Sequence, residues 1–297
     1  MRVFVPGAPG CIGSAIAVDL RRGGHEIVAL ARSESAANSL LDAGFGVHRG
    51  DIKDPPSIAT SLSQVDAVIH AAFDHDFSRY LENCEADGRL LAALARALEG
   101  SNKILVATST TIVTPTGEIA TEDLGAVDQI PRSASERFLL YADRGVQTSV
   151  VRLPPSVYGL GDTAFVPALI DLARQNGTSV YIGKGTNHWP GVHRDDAARL
   201  FCDVIEQPRP GARYHAVAEN EIPFRTIAEA IAEGLGVTAA TIPNDQAEKQ
   251  FGWLAPFAAI DNPTSSEWTR RTTGWAPREQ TLIETMHDAG YFDTRSR

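Results

Sequence analysis

Val3-Phe4-Val5-Pro6-Gly7-Ala8-Pro9-Gly10-Cys11-Ile12-Gly13-Ser14 is the stretch whose reading decides the fold. Val3 to Val5 are apolar and read as a buried strand, and Ile16, Ala17 and Leu20 follow the glycines at helical spacing. A GxxGxxG turn between a strand and a helix has a definite physical use. One glycine allows the tight turn, another lets the backbone approach a pyrophosphate, and the last lets the helix pack close to the strand. Free N–H groups at the helix start then stabilise the anion. An ordinary strand-to-helix turn is the competing reading of the glycines alone. Their place, straight after one strand and straight before an amphipathic helix, favours the phosphate cradle.

The same alternation runs on along the chain. Gly23-Gly24 stop the first helix, and strands are expected at 26–30, 46–48, 67–70, 103–107 and 148–153. Helices are expected between them at 33–43, 58–62, 77–98 and 133–144. Strands and helices alternating at this spacing pair in parallel through right-handed crossovers. The fold class is therefore α/β, a doubly wound parallel sheet of Rossmann type. After Pro154-Pro155 the rhythm breaks into glycine- and proline-rich segments. Residues 1–154, joined by 188–217, are expected to form a dinucleotide-binding domain; 155–187 and 218–297 are expected to form a smaller C-terminal substrate lobe. The last four residues, 294–297, read as a frayed end.

Composition narrows the function. The 297 residues are 43% hydrophobic and 22% charged, the mix of a globular enzyme-sized chain. The net charge of −10 argues against non-specific nucleic-acid binding. No apolar run approaches the roughly 20 residues of a membrane span, and the opening residues do not read as a signal peptide. Cys11, Cys84 and Cys202 form no CxxC pair, which disfavours a disulfide scaffold or a zinc ribbon and fits a reducing cytoplasm.

The second strand ends at Ala31-Arg32-Ser33, where an acidic residue would bind the ribose hydroxyls of NAD. Arg32 suits the 2′-phosphate of NADP instead, so NADP(H) is expected in preference to NAD(H); a solvated surface arginine is the bland alternative. Asp51, in Gly50-Asp51-Ile52, is placed to accept from the adenine amino group or to cap a helix.

These residues, with His70-Ala71-Ala72 and Thr108-Ser109-Thr110, resemble the extended short-chain dehydrogenase/reductases, also called the NAD-dependent epimerase/dehydratase family. Pro154-Pro155-Ser156-Val157-Tyr158-Gly159 resembles that family's turn after the sixth strand, and Val192-His193 with Asp195-Asp196 its VHxDD segment. By motif position the resemblance implies that Gly7, Gly10, Cys11, Ile12 and Gly13 hold the pyrophosphate and that Asp51 and Ile52 flank adenine. It further implies that Ala71, Ala72, Phe73 and Thr108 lie along the cofactor, that Pro155 and Val157 lie near the nicotinamide, and that Thr110 hydrogen-bonds the substrate oxygen. A homodimer through 77–98 and 133–144 is the implied assembly, although a monomer fits the sequence equally.

One departure from the family pattern is chemical. The family donates a proton from a tyrosine four residues before a lysine. Alignment through Glu136 puts Asp128 at the tyrosine position and Arg132 at the lysine position. The four lysines, Lys53, Lys103, Lys184 and Lys249, follow Arg49, Glu99, Val180 and Asp245 at that spacing, so no YxxxK exists. Arg132 is still expected to hold the ribose, but its guanidinium stays protonated and is no acid.

Tyr158, His193, His188 and His75 are the substitutes, each with a structural alternative. Tyr158 packs the loop, the lobe histidines hydrogen-bond, and His75 serves the following helix. The carboxylates of Asp74 and Asp76 are expected to keep His75 protonated where they lie close to it, but three adjacent positions do not converge on a metal ion. Trp189, Trp253, Trp268 and Trp275 are expected to pack the lobe. The function expected is an NADP(H)-dependent oxidoreductase acting on a small organic carbonyl or alcohol, with Thr110, Tyr158 and His193 as the catalytic candidates. A non-catalytic dinucleotide sensor or scaffold, or an epimerase using hydride transiently, stands as the alternative.

Overall fold

The computed structural model describes every residue except 116, 289 and 294–297; the frayed end read from the sequence lies outside the described residues. Six strands follow the expected alternation: β1 (Arg2–Val5), β2 (Glu26–Ala31), β3 (Gly46–Arg49), β4 (Ala67–His70), β5 (Ile104–Thr110) and β6 (Gln147–Leu153). Helices α1 (Cys11–Arg22), α2 (Glu34–Asp42), α3 (Ala59–Ser63) and α4 (Tyr80–Ala97) join the first five of them. The segment Pro131–Arg144, between β5 and β6, winds as a 3₁₀ helix rather than the expected α-helix.

The large sheet is parallel and has seven strands, in the order β6-β5-β4-β1-β2-β3 with a seventh, Ala212–His215, outside β6. Its order reverses between β1 and β4, which opens a crevice beyond their carboxyl ends. One face buries Val3, Val5, Ile27 and Val106 against α1 and the helix Arg194–Glu206. The other buries Phe4, Val68, Leu105 and Val150 against α4 and Pro131–Arg144. Strands covered on both sides need continuous apolar runs, which is how β1, β4 and β5 read.

There follow β7 (Ser156–Tyr158), α5 (Phe165–Asn176), β8 (Thr178–Ile182), β9 (His188–His193), α6 (Arg194–Glu206), β10 (Ala212–His215), β11 (Glu219–Pro223), α7 (Phe224–Leu235), β12 (Thr238–Ile242) and the short helices α8 (Ala247–Phe251), α9 (Ala255–Ala258), α10 (Glu267–Thr273) and α11 (Leu282–Asp288). Strand β10 extends the large sheet beside β6, while β11-β9-β7 and β12-β8 form two small sheets. A separate apolar core, built around Phe165, Trp189, Phe224, Ile231 and Leu254, lies in the lobe. Within 218–297, which the sequence assigns to the lobe, Trp275 joins the core beneath the large sheet and donates Nε1–H to the Asp196 carbonyl at 2.9 Å.

Candidate active site

The glycine turn sits at the β1–β4 crevice, held there by a close backbone approach. Ala71 N–H donates to the Pro6 carbonyl at 2.9 Å. Gly7 has φ +93°, and a Cβ there would stand 2.5 Å from the Ala71 carbonyl carbon and the Ala72 nitrogen. A Cβ on Gly13 would stand 2.0 Å from the Gly7 oxygen. Both positions therefore exclude a side chain, and the first turn of α1 comes right up to the ends of β1 and β4. Gly10 precedes α1 in extended conformation and has no side chain to cap the helix, so the opening N–H groups are left for an outside acceptor.

The other cofactor candidates lie along the same edge. Arg32 and Ser33 are exposed at the end of β2, where Ser33 Oγ caps α2 by accepting from Ala36 N–H at 3.2 Å. The neighbouring Arg49 is paired with Glu34 at 2.6 Å. Among the described residues no ion pair engages Arg32. Asp51 accepts from Lys53 N–H at 2.9 Å, so its carboxylate shapes its own turn. Ala71, Ala72 and Phe73 are half-buried after β4, and Pro155 is buried just after β6.

Beneath this edge lies a buried polar network. Asp87 accepts from His70 Nε2 at 2.7 Å, from Ser135 Oγ at 2.6 Å and from Arg132 at 2.5 Å. Burial alone would raise the Asp87 carboxyl, but Arg132 and His70 hold it well below the usual range. The Arg132 guanidinium lies 4.0 Å from the centre of the Phe73 ring, and its other terminal nitrogen reaches the Thr108 carbonyl at 3.4 Å. Its terminal nitrogens are thus engaged by Asp87, Ser135 and Thr108 inside the protein, where the sequence expected the side chain to hold a ribose. Thr108 turns its hydroxyl to the His70 carbonyl at 3.3 Å. Thr110, half-buried at the end of β5, accepts from Ile112 N–H at 3.4 Å.

The expected proton donors are placed otherwise. Tyr158 is 1% exposed and donates its hydroxyl to Glu219 Oε2 at 2.7 Å. Burial and the Glu219 charge push the phenol far above its ordinary value, so it holds its proton rather than delivering it. His193 caps α6, its Nδ1 accepting from Asp195 N–H at 3.3 Å. Burial lowers its pKa despite Asp195, so the ring is neutral at neutral pH and carries its proton on Nε2. His188 pairs with Asp261 at 2.9 Å. His75 also has a lowered pKa, first through lost hydration and then through Arg132, which outweigh Asp74; the expectation that its carboxylate neighbours keep it protonated does not hold. Trp189 is wholly buried and bonds the Phe257 carbonyl at 3.0 Å, while Trp253 is half-exposed and stacks on Phe77.

Comparison with known proteins meets this geometry at the glycine turn and the sheet. The family model described as the NAD dependent epimerase/dehydratase family matches residues 3–218. The chain belongs to that family. An uncharacterised protein of Schizosaccharomyces pombe is 43% identical over 98% of this chain and 100% of its own length. A 2-alkyl-3-oxoalkanoate reductase of Stenotrophomonas maltophilia is 29% identical over 80% of this chain and 76% of its own. The dTDP-glucose 4,6-dehydratase DesIV of Streptomyces venezuelae, solved with NAD and TYD bound, has the same fold, with a TM-score of 0.79 at 20% identity over 98% and 96% of the two chains.

Within this epimerase/dehydratase fold, Asp128 is exposed at the position aligned with the family tyrosine. Glu136 and Arg152 form a buried pair at 2.7 Å, with Ser109 donating to the same carboxylate at 2.8 Å. Burial would raise Glu136, but the Arg152 contact lowers it. Two residues of the site escaped the sequence reading. Glu219 meets Tyr158 and Arg194 meets the glycine turn only in the folded chain; no local motif marks Glu219, and Arg194 is the variable position of the VHxDD segment.

Proposed function

We propose that this protein is an NADP(H)-dependent oxidoreductase that interconverts a small organic carbonyl and its alcohol. The observation that carries the reading is the glycine cradle, where a Cβ at Gly7 or Gly13 would strike backbone and the α1 amides stay open. Gly7, Gly10, Cys11, Ile12 and Gly13 bind the pyrophosphate, and Arg32 and Ser33 take the 2′-phosphate. Asp51 and Ile52 flank adenine. Ala71, Ala72 and Phe73 line the cofactor, with Arg132 fixed behind the Phe73 ring as a positioning residue, and Pro155 and Val157 border the nicotinamide. When bound, the nicotinamide supplies or accepts the hydride. Thr110 donates its hydroxyl hydrogen to the substrate oxygen, since its own oxygen already accepts from Ile112. With Tyr158 and His193 engaged elsewhere, water serves as the proton source, and turnover is correspondingly slow, because a positioned acid contributes about 10²–10⁴-fold.

The name of the Stenotrophomonas relative supports a reductase acting on an oxo acid or a similar carbonyl. A second reading, a dinucleotide sensor, is favoured by the absence of YxxxK together with the buried Tyr158–Glu219 bond. Oxidation of NADPH and of NADH against a panel of aldehydes, ketones and oxo acids separates the two. Turnover with NADPH supports the enzyme; tight binding without turnover supports the sensor. Leu81 and Leu140 are exposed on α4 and Pro131–Arg144, which supports a homodimer through these helices.

A further inference from the structure

We infer that Arg194 is a pyrophosphate-binding residue, a cation that the start of α6 brings to the glycine turn; the inference rests on the dinucleotide reading above. The turn itself, Gly7 to Ser14, contains no basic side chain. A helix N-terminus supplies roughly half an elementary charge, against about two negative charges on a pyrophosphate diester. The balance calls for a cation from elsewhere in the fold.

Arg194 occupies that place. Its guanidinium reaches Ser14 Oγ, in the first turn of α1, at 3.4 Å. It also lies within hydrogen-bonding reach of the Cys11 sulfur and donates to the Leu160 carbonyl. Asp195 contacts it at 3.3 Å but is itself 53% exposed, so water screens that pairing. The arginine side chain is 14% exposed, and the backbone is shaped around it. Gly159, at φ +129°, would put a Cβ 2.8 Å from the Arg194 side chain. At Gly161, φ +80°, an added Cβ would stand 3.5 Å from its terminal nitrogen. The loop after β7 thus folds its carbonyl onto the guanidinium and holds it against α1. Arg194 ties the Leu160 loop to the first turn of α1 beside the phosphate site.

Titration of wild type, Arg194→Ala and Arg32→Ala with NADP⁺ and with adenosine 2′-monophosphate, which lacks the pyrophosphate, tests this directly. Arg194→Ala is expected to weaken NADP⁺ by about 10- to 100-fold, the size of one charge-assisted hydrogen bond, and to flatten the salt dependence of binding. Binding of the monophosphate stays unchanged. Arg32→Ala weakens both ligands. Arg194→Gln, which keeps a donor for the Leu160 carbonyl but removes the charge, gives the same loss for NADP⁺ and carries the test should the alanine variant not fold. Unchanged NADP⁺ affinity in these variants, even with a lowered melting temperature, overturns the inference and leaves Arg194 a tether of the loop. A wild type that binds neither ligand overturns the dinucleotide reading beneath it.

Discussion

Tyr158 gives its hydroxyl hydrogen to Glu219 Oε2 across 2.7 Å, and the same carboxylate oxygen accepts from Leu282 N–H at 2.9 Å. The bond ties β7 to β11 and to the start of the helix Leu282–Asp288. If this bond serves structure and not proton transfer, Tyr158→Phe should cost about 1–3 kcal/mol of stability by leaving Glu219 short of a donor. Turnover, once a substrate is in hand, should change by less than about tenfold rather than the 10²–10⁴-fold of a lost acid. Urea melts and steady-state rates on one preparation check both halves.

Gly7 and Gly10 should separate under alanine substitution. At Gly7 the added Cβ strikes the Ala71–Ala72 backbone and the left-handed φ is strained as well, so Gly7→Ala should unfold or strongly destabilise the chain. At Gly10 the Cβ would meet only the Gly7 oxygen, at 3.3 Å. Gly10→Ala should therefore melt near wild type yet lose most dinucleotide affinity, because the methyl stands where the phosphate must approach. Thermal melts with and without NADP⁺ read both effects.

Arg32 sets the choice between the two dinucleotides in this account. Arg32→Ala should lower affinity for NADP⁺ by about 1.5–3 kcal/mol while leaving NAD⁺ within a factor of a few. Arg32→Glu should reverse the preference. Competition titrations with both dinucleotides decide it; equal losses for both would place Arg32 outside the 2′-phosphate site.

His215 gives the fold a pH dependence of its own. Its Nδ1–H donates to the Ser265 carbonyl at 2.8 Å, and burial followed by the Arg152 charge pushes the ring down to about 4. In the unfolded chain it titrates near 6.5. Between those values the unfolded state takes up a proton that the folded state refuses, so stability falls as pH drops from about 6.5 to about 4. Asp87 acts in a lower window: its depressed carboxyl stabilises the fold above the ordinary aspartate value and loses that contribution only in stronger acid. His215→Gln should flatten the upper window and leave the lower one, as chemical melts stepped through both will show.

The Rossmann half was legible because its signals are local. Val3–Val5 and Ala67–His70 are apolar runs, Gly7, Gly10 and Gly13 sit at fixed offsets, and Ser33 caps the second helix from one residue outside it. What escaped depends on distant chain. Strand β10 reads Ala-Arg-Tyr-His, four residues with two polar ones, and becomes a strand only because β6 offers it an edge. Arg132 looked free for a ribose, yet Asp87, 45 positions away, draws it inward. Tyr158 lies in the right motif for catalysis, but its hydroxyl direction is set by Glu219, on a strand the sequence pattern did not separate from the lobe.

Calorimetric titration of the wild-type chain with NADPH and with NADH is the decisive measurement. A single saturable isotherm is expected for each, tighter for NADPH, with a rise in melting temperature to match. No heat and no melting shift with either nucleotide would contradict it.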